Sequence, residues 1–285
     1  MEPVSKALWY IESHFARAME LDEIARVGGV SRFRLSRLFG AVTGHSVFGY
    51  VRGRRLTEAA RTLSRGAPDI LSVALAYGYS SHEAFTRAFR EQFGAAPHQV
   101  RAQRHLDNLA LVEPLRMNDN TTAELEPPRQ VSGKAMTIAG LVECYAMGAL
   151  GGIASQWQRF GPHLGAVPGQ VGAAAYGVMF GQRQEGGKPT FQYLAGVEVA
   201  DTANLPDGFT VVRLPAQTYA VFHHRGHVST VQSTMDAIMR TWMPTSGYTP
   251  ADMPTFFERY GPEFDPVTGL GGFEIWMPVK GSSRQ

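Results

Sequence analysis

The chain has 285 residues, 44% of them hydrophobic and 18% charged, with a formal net charge of +2 and a single cysteine, Cys144. That length allows two separate cores. No apolar run reaches the ~18 residues of a membrane span, and one thiol makes neither an internal disulfide nor a Cys-based zinc site. The opening Met1-Glu2-Pro3-Val4-Ser5-Lys6 lacks the basic-then-apolar pattern of a secretory signal, and the lone thiol fits a reducing cytoplasm; neither a cofactor nor a membrane partner is expected. The small net charge hides an asymmetry. Residues 1–105 hold 15 Lys+Arg against 9 Asp+Glu, a net of +6, and residues 106–285 hold 12 against 16, a net of −4. A basic first part suits a polyanion, although an uneven, solvated surface gives the same count.

Val4, Leu8, Ile11 and Phe15 fall at helical spacing and predict a helix over 3–18. A second begins at Leu21, with Asp22-Glu23 in its first turn, and ends at Gly28-Gly29. Ser31 is an N-cap for a third helix carrying Phe33, Leu35, Leu38 and Phe39, which Gly44 stops. Residues 46–64 read as a long linking helix, and Gly66-Ala67-Pro68-Asp69 as a turn. The plan then repeats. Gly29-Val30-Ser31 matches Gly78-Tyr79-Ser80, Leu35-Ser36-Arg37-Leu38-Phe39 matches Phe85-Thr86-Arg87-Ala88-Phe89, and Gly44 matches Gly94. Each copy is a short helix, a Gly-containing turn and a second helix starting at Ser, the pattern of a helix-turn-helix. A last helix starts at Pro97.

A recognition helix buries one stripe in its own domain and offers the rest to base edges and phosphates. Leu35, Leu38 and Phe39 face inward in the first copy, leaving Arg32, Phe33, Ser36 and Arg37 for the groove. In the second, Phe85 and Phe89 face inward, leaving Ser81, His82, Glu83, Thr86 and Arg87. Arg forks onto guanine, Glu accepts from cytosine N4, and Phe33 suits a thymine methyl. Each of these residues can equally be an ordinary exposed helix position. Arg52, Arg54, Arg55, Arg61 and Arg101 are candidates for phosphate contacts, which makes binding salt-dependent. Because the two copies share a scaffold but differ in contact chemistry, an asymmetric double-stranded DNA site read by one chain is expected.

Residues 8–104 resemble the DNA-binding domain of the AraC family of transcription regulators, within its MarA/Rob-like group. The resemblance rests on Ile11-Glu12-Ser13-His14, Leu21-Asp22-Glu23-Ile24-Ala25, the repeated segments above, Thr43-Gly44-His45-Ser46, Arg54-Arg55-Leu56, Tyr77-Gly78-Tyr79 and Phe93-Gly94 with Pro97. It implies seven helices, with recognition helices at about 31–42 and 81–93. The family often carries Trp or a polar residue at the place of Phe33, and Gln at those of His82 and Glu83, so a target sequence does not carry over.

Pro114, Asn118-Asp119-Asn120 and Pro127-Pro128 break any periodicity, and residues 106–133 read as a linker. Strand-like runs follow at 134–142, 173–180, 190–199, 209–214, 217–224, 255–260 and 271–278. Helical stripes at Ile153, Trp157, Phe160, Leu164 and at Val231, Met235, Ile238, Trp242 interrupt them. The fold class is therefore α + (α+β): an all-α double helix-turn-helix domain (1–105), the linker, and a duplicated α+β domain (134–281) with a mainly antiparallel sheet.

Alternation puts Glu274 on one strand face with Trp276, and Phe256, Glu258 and Tyr260 together on another. A carboxylate beside aromatic rings suits an apolar cation. Trp157, Phe160 and Trp242 fit either a core stripe or a pocket wall, and Tyr145, Tyr176 and Tyr193 are open in the same way. The second half is also similar to GyrI-like small-molecule-binding domains, on Ile138-Ala139-Gly140, Tyr176-Gly177-Val178, Ala195-Gly196-Val197-Glu198, Phe257-Glu258-Arg259-Tyr260 and Phe273-Glu274-Ile275-Trp276-Met277-Pro278. The resemblance implies a central acid and points to Glu274, with pairing to His223 or Arg225, or simple exposure, as the alternative. It implies an effector-responsive regulator. The rivals are a hydrolase or sequestering domain, and a module for a protein such as RNA polymerase. No G-x-S-x-G or H-E-x-x-H motif supports catalysis. The one histidine cluster, His223-His224 with His227, reads as a strand end and turn rather than a metal site.

Overall fold

A computed structural model describes residues 2–115, 123–147, 151–185, 187–251 and 253–281. The chain divides into two compact units, Met1–Leu115 and Arg116–Gln285.

The first unit is helical: α1 (Glu2–His14), α2 (Leu21–Val27), α3 (Arg32–Thr43), α4 (Val47–Ser64), α5 (Ile70–Ala76), α6 (His82–Phe93) and α7 (Pro97–Gln103). Local chemistry sets the boundaries. Ser46 Oγ accepts from the Gly49 amide at the start of α4, and Asp69 accepts from the Leu71 and Ser72 amides at the start of α5. Ser31 and Ser81 cap α3 and α6 in the same way, and Gly44 and Gly94 close both in the left-handed region, with φ of 72° and 66°. Both caps share one offset of 50, so α3 and α6 correspond residue by residue. Both pack on α4. Leu56, Ala59, Ala60 and Leu63 of α4 bury against Val73, Ala74, Phe85 and Phe89.

The segment read as a linker is divided in the structure. Leu106, Leu109 and Leu111 pack against the core around α4, and the chain stays with the first unit to Leu115. Arg129–Gly133 is a strand of the second unit. Asn118-Asp119-Asn120 lies outside the described residues.

The second unit contains β1 (Arg129–Gly133), β2 (Met136–Ala146), α8 (Gly152–Phe160), β3 (Gln170–Glu185), β4 (Lys188–Val199), β5 (Thr210–Leu214) and β6 (Gln217–His224). It continues with α9 (Val231–Ala237), β7 (Tyr248–Pro250), β8 (Phe256–Tyr260) and β9 (Phe273–Gly281). The helix of α9 runs on as a π-helix through Ile238–Trp242. Strand order is β1-β6-β9-β8-β3-β4-β2-β5, with β7 on β9, and each pairing is antiparallel. The order is palindromic about the β3–β8 pair. One half is β1, β2, α8, β3, β4 and the other is β5, β6, α9, β8, β9, with β1 and β5 each pairing into the opposite half. This is the expected duplication.

Two-residue links, 134–135 and 215–216, join β1 to β2 and β5 to β6. Each pair of strands sits six places apart in the sheet, about 29 Å if it were flat, and such a link spans only about 11 Å. The sheet must therefore curl until its ends meet. One face, with Ile138, Val178, Leu194, Leu214, Tyr219 and Phe257, is buried entirely among strand residues, so the curl itself covers it. The other face packs under α8 and α9, with Phe160, Ile238, Tyr193, Phe273 and Ile275 at its centre.

His224 ends β6, with Nδ1 2.9 Å from Thr234 Oγ1 and Nε2 3.2 Å from the His227 carbonyl. Burial lowers its pKa from the ordinary 6.5. The unfolded chain therefore takes the proton first, so stability is full above about 6.5 and falls as pH drops below it. Urea melts between pH 7.5 and 5 are expected to show this loss for the second unit, and His224→Gln to flatten it.

Candidate functional site

The groups expected to face DNA lie in the first two turns of α3 and α6. Arg32, Phe33, Ser36 and Arg37 are exposed on α3, Phe33 by 78%. The Arg32 guanidinium lies over the Phe33 ring at 5.2 Å and 3.5 Å from Asp22. On α6, His82, Glu83 and Arg87 are exposed and Ser81 serves as the cap. Hydrogen bonds from its own backbone N–H and from Ser81 hold the Glu83 carboxyl low, so it is charged at neutral pH. The shared cap offset sets Phe33 opposite Glu83, Ser36 opposite Thr86 and Arg37 opposite Arg87. Thr86 departs from expectation, because its Oγ1 is buried beneath the helix with no hydrogen-bond partner.

The arginines proposed for phosphates mostly have other work. Arg55 donates to the carbonyls of Phe15 (2.5 Å) and Arg17 (2.6 Å), tying down the chain leaving α1. Arg54 is wholly buried with Glu12, Arg61 pairs with Glu58 and Glu113, and Arg101 donates to the Pro68 carbonyl. Arg52 is the exposed one of the five. Arg52→Ala is therefore expected to reduce the salt slope of DNA binding by about 1. Arg55→Ala should leave that slope unchanged and lower the melting temperature instead.

In the second unit, the acid set among aromatic rings is Glu258 rather than Glu274. Glu258 is 6% exposed on the face beneath α8. Its Oε2 accepts from the Tyr193 hydroxyl at 2.6 Å and the Tyr260 hydroxyl at 2.9 Å. Trp157 of α8 donates its Nε1 to the Tyr193 hydroxyl at 3.2 Å and meets the Tyr260 ring edge-on at 5.2 Å. Burial, then the Glu258 charge, pushes both tyrosines well above their ordinary pKa, so they remain donors. Phe256 shares the face. Tyr145 lies beside it, its hydroxyl 2.9 Å from Oε1 of buried Gln156 and 3.0 Å from Glu143. Gln156 in turn donates to the carbonyls of Leu141 and Tyr193, fixing α8 on β2 and β4.

Glu274, Trp276 and Tyr176 lie on the opposite face. Glu274 pairs with Arg129 and Arg259 and accepts from Trp276 Nε1 at 3.0 Å. Trp276 stacks on Phe257. Tyr176 sits opposite Arg259 in the β3–β8 ladder and belongs to the strand-only core. The alternation of β9 separated Glu274 from Phe273 and Ile275 correctly. It could not show that Arg259 stands opposite on β8 and that Arg129 reaches Glu274 from β1.

Gly177 pairs with Glu258 across β3 and β8. A Cβ there would lie 1.9 Å from the Tyr193 hydroxyl and 2.7 Å from Glu258 Oε2. Glycine inside a strand signals such a close approach, and this was the available sequence clue. Gly177→Ala must expel Tyr193 from the cluster. It is expected to cost about 1–3 kcal/mol in urea unfolding and to change Trp157 fluorescence.

Residues 126–280, more than half of the chain, match the GyrI-like small molecule binding domain, and residues 24–103 match a helix-turn-helix domain. The chain is similar to transcriptional regulator Rob of Salmonella typhimurium, 29% identical over 278 residues that cover 92% of this chain and 91% of that protein. It is similar to the right origin-binding protein of Escherichia coli K12, 37% identical over 117 residues covering 41% of this chain and 40% of that one. It is also similar to the multiple antibiotic resistance protein MarA of Salmonella typhimurium, 34% identical over 98 residues, 34% of this chain and 77% of that one. The structure of SAV2435 bound to tetraphenylphosphonium aligns with a TM-score of 0.45 and 25% identity, over 55% of this chain and 95% of that chain. The chain therefore belongs to the GyrI-like small-molecule-binding family and, carrying an AraC-type helix-turn-helix domain ahead of it, is a DNA-binding transcription regulator.

Proposed function

We propose that the second unit takes an apolar cation at Glu258 and that this binding alters how the first unit holds DNA. The observation that carries the reading is a carboxylate buried under α8 with the rings of Trp157, Tyr193, Phe256 and Tyr260 around it. Ring faces and one negative charge, shielded from water, complement a cation whose own surface is apolar. Tyr145, in the same core cluster, is included in the proposed site. Glu274, Trp276 and Tyr176 form a structural row on the far face.

In the first unit, Arg32, Phe33, Ser36 and Arg37 read one half-site and His82, Glu83 and Arg87 the other, with Arg52 on phosphate. The substitution of Phe33 by Glu83 between equivalent positions favours an asymmetric target. The cluster at Glu258 binds rather than turns over its ligand, consistent with relatives that are regulators. Selection from a random-sequence DNA library tests the first unit. A non-palindromic consensus is expected, and recovery of no preferred sequence counts against the reading. Titration with tetraphenylphosphonium, followed by tryptophan fluorescence, tests the second. Saturable quenching is expected, and its absence counts against an apolar-cation site.

A further inference from the structure

Residues 106–115 do more than leave the first unit. They lie along α4 and complete a buried ion pair. Arg54 of α4 holds Glu12 of α1 with two hydrogen bonds, Nε to Oε1 at 2.8 Å and Nη2 to Oε2 at 3.1 Å, and also reaches Glu58. Its Nη1 donates to the carbonyl of Val112 at 2.9 Å. The Val112 amide donates to Thr57 Oγ1 at 2.9 Å, and the Leu115 amide to the Tyr50 hydroxyl at 2.9 Å, which itself donates to Glu12 at 2.7 Å. Arg61 clasps Glu113. Gly53 makes the approach possible, since a Cβ there would lie 2.6 Å from Val112 Cγ2.

The pair joins α1, in the first helix-turn-helix module, to α4, the helix that carries both modules. With the segment docked, every arm of the Arg54 guanidinium is held. With it gone, Nη1 loses its acceptor and water reaches the ion pair, so the joint between modules softens. We propose that 106–115 is a strap that fixes the separation of the two recognition helices, and thereby sets the half-site spacing the protein accepts. The proposal rests on α3 and α6 being the DNA-reading helices.

Adding one base pair between half-sites moves one of them by about 3.4 Å and a tenth of a turn. A rigid reader must then strain itself or the DNA, whereas a loosened one follows. The full chain is used, with a site it selects from a random-sequence library and with versions lengthened or shortened by one base pair between half-sites. Wild type is expected to favour the selected spacing by at least about tenfold in electrophoretic shifts. Gly53→Ala evicts Val112 while favouring the helix, and Tyr50→Phe/Thr57→Val removes the two side-chain acceptors of the strap's amides, leaving Arg54 on the Val112 carbonyl. In both, spacing preference should fall to about threefold or less, with faster hydrogen exchange at the Val112 and Leu115 amides. Wild-type spacing preference in both variants overturns the proposal, as does free-chain exchange of those two amides in the wild type.

Discussion

Glu258→Gln is expected to weaken tetraphenylphosphonium binding by on the order of a hundredfold, about 3 kcal/mol, while Glu274→Gln leaves it within about twofold. The substitution keeps the shape of the cluster. The Gln carbonyl still accepts from Tyr193 and Tyr260, so the rings stay where they are, and only the charge is lost. Inside a face shielded by α8, that charge acts at low effective dielectric and without much salt screening, which is why one atom exchange has so large an effect. Glu274 cannot substitute for it. Its carboxylate is held by Arg129 and Arg259 on the other side of the sheet. Isothermal titration calorimetry at two salt concentrations checks both variants, and equal losses in the two would reassign the acid.

Arg54→Ala is expected to unfold or nearly unfold the first unit. The change strands Glu12, which is 1% exposed, in a core where Tyr50 and the strap were arranged around an ion pair. Removing one partner of a buried pair costs about 3–5 kcal/mol. A domain of this size has only about 5–15 kcal/mol in total. A drop in melting temperature on the order of 15 °C or more should follow in far-UV circular dichroism, which here reports chiefly the helical unit. Glu12→Leu/Arg54→Met is expected to recover much of the loss, because an apolar pair leaves no stranded charge. Were Arg54 a phosphate contact instead, the variant would melt normally and lose only salt-dependent DNA affinity.

The helical unit was largely legible in the sequence because its signals are local. Ser31, Ser81, Gly44 and Gly94 announce helix ends from their own chemistry, and the repeat doubles each signal. The arginines were not legible. Arg52, Arg54 and Arg55 are neighbours of one type in sequence, and only their positions around α4 separate an exposed side chain from a buried ion pair and a carbonyl clamp. In the second unit, strand alternation placed Glu258 with Phe256 and Tyr260 correctly. Which face lay beneath α8 depended on strands far apart in sequence: Tyr193 on β4 and Gly177 on β3 select Glu258, and Arg129 on β1 claims Glu274. β1 carries no strand signal of its own, since Arg129–Gly133 is short, polar and mostly exposed, and becomes a strand only by pairing with β6.

The most direct measurement is the dissociation constant for the selected DNA, with and without saturating tetraphenylphosphonium, in wild type and in Glu258→Gln. Binding at one site can change affinity at another only through different affinities for two states of the chain, and the effect is reciprocal. In the wild type the ligand is expected to shift DNA affinity by about 5-fold or more, and bound DNA to shift ligand affinity by the same factor. Glu258→Gln should bind DNA as the unliganded wild type does and show no shift at the same ligand concentration. An unchanged DNA affinity in ligand-saturated wild type, or an equal shift in Glu258→Gln, would contradict an effector site at Glu258.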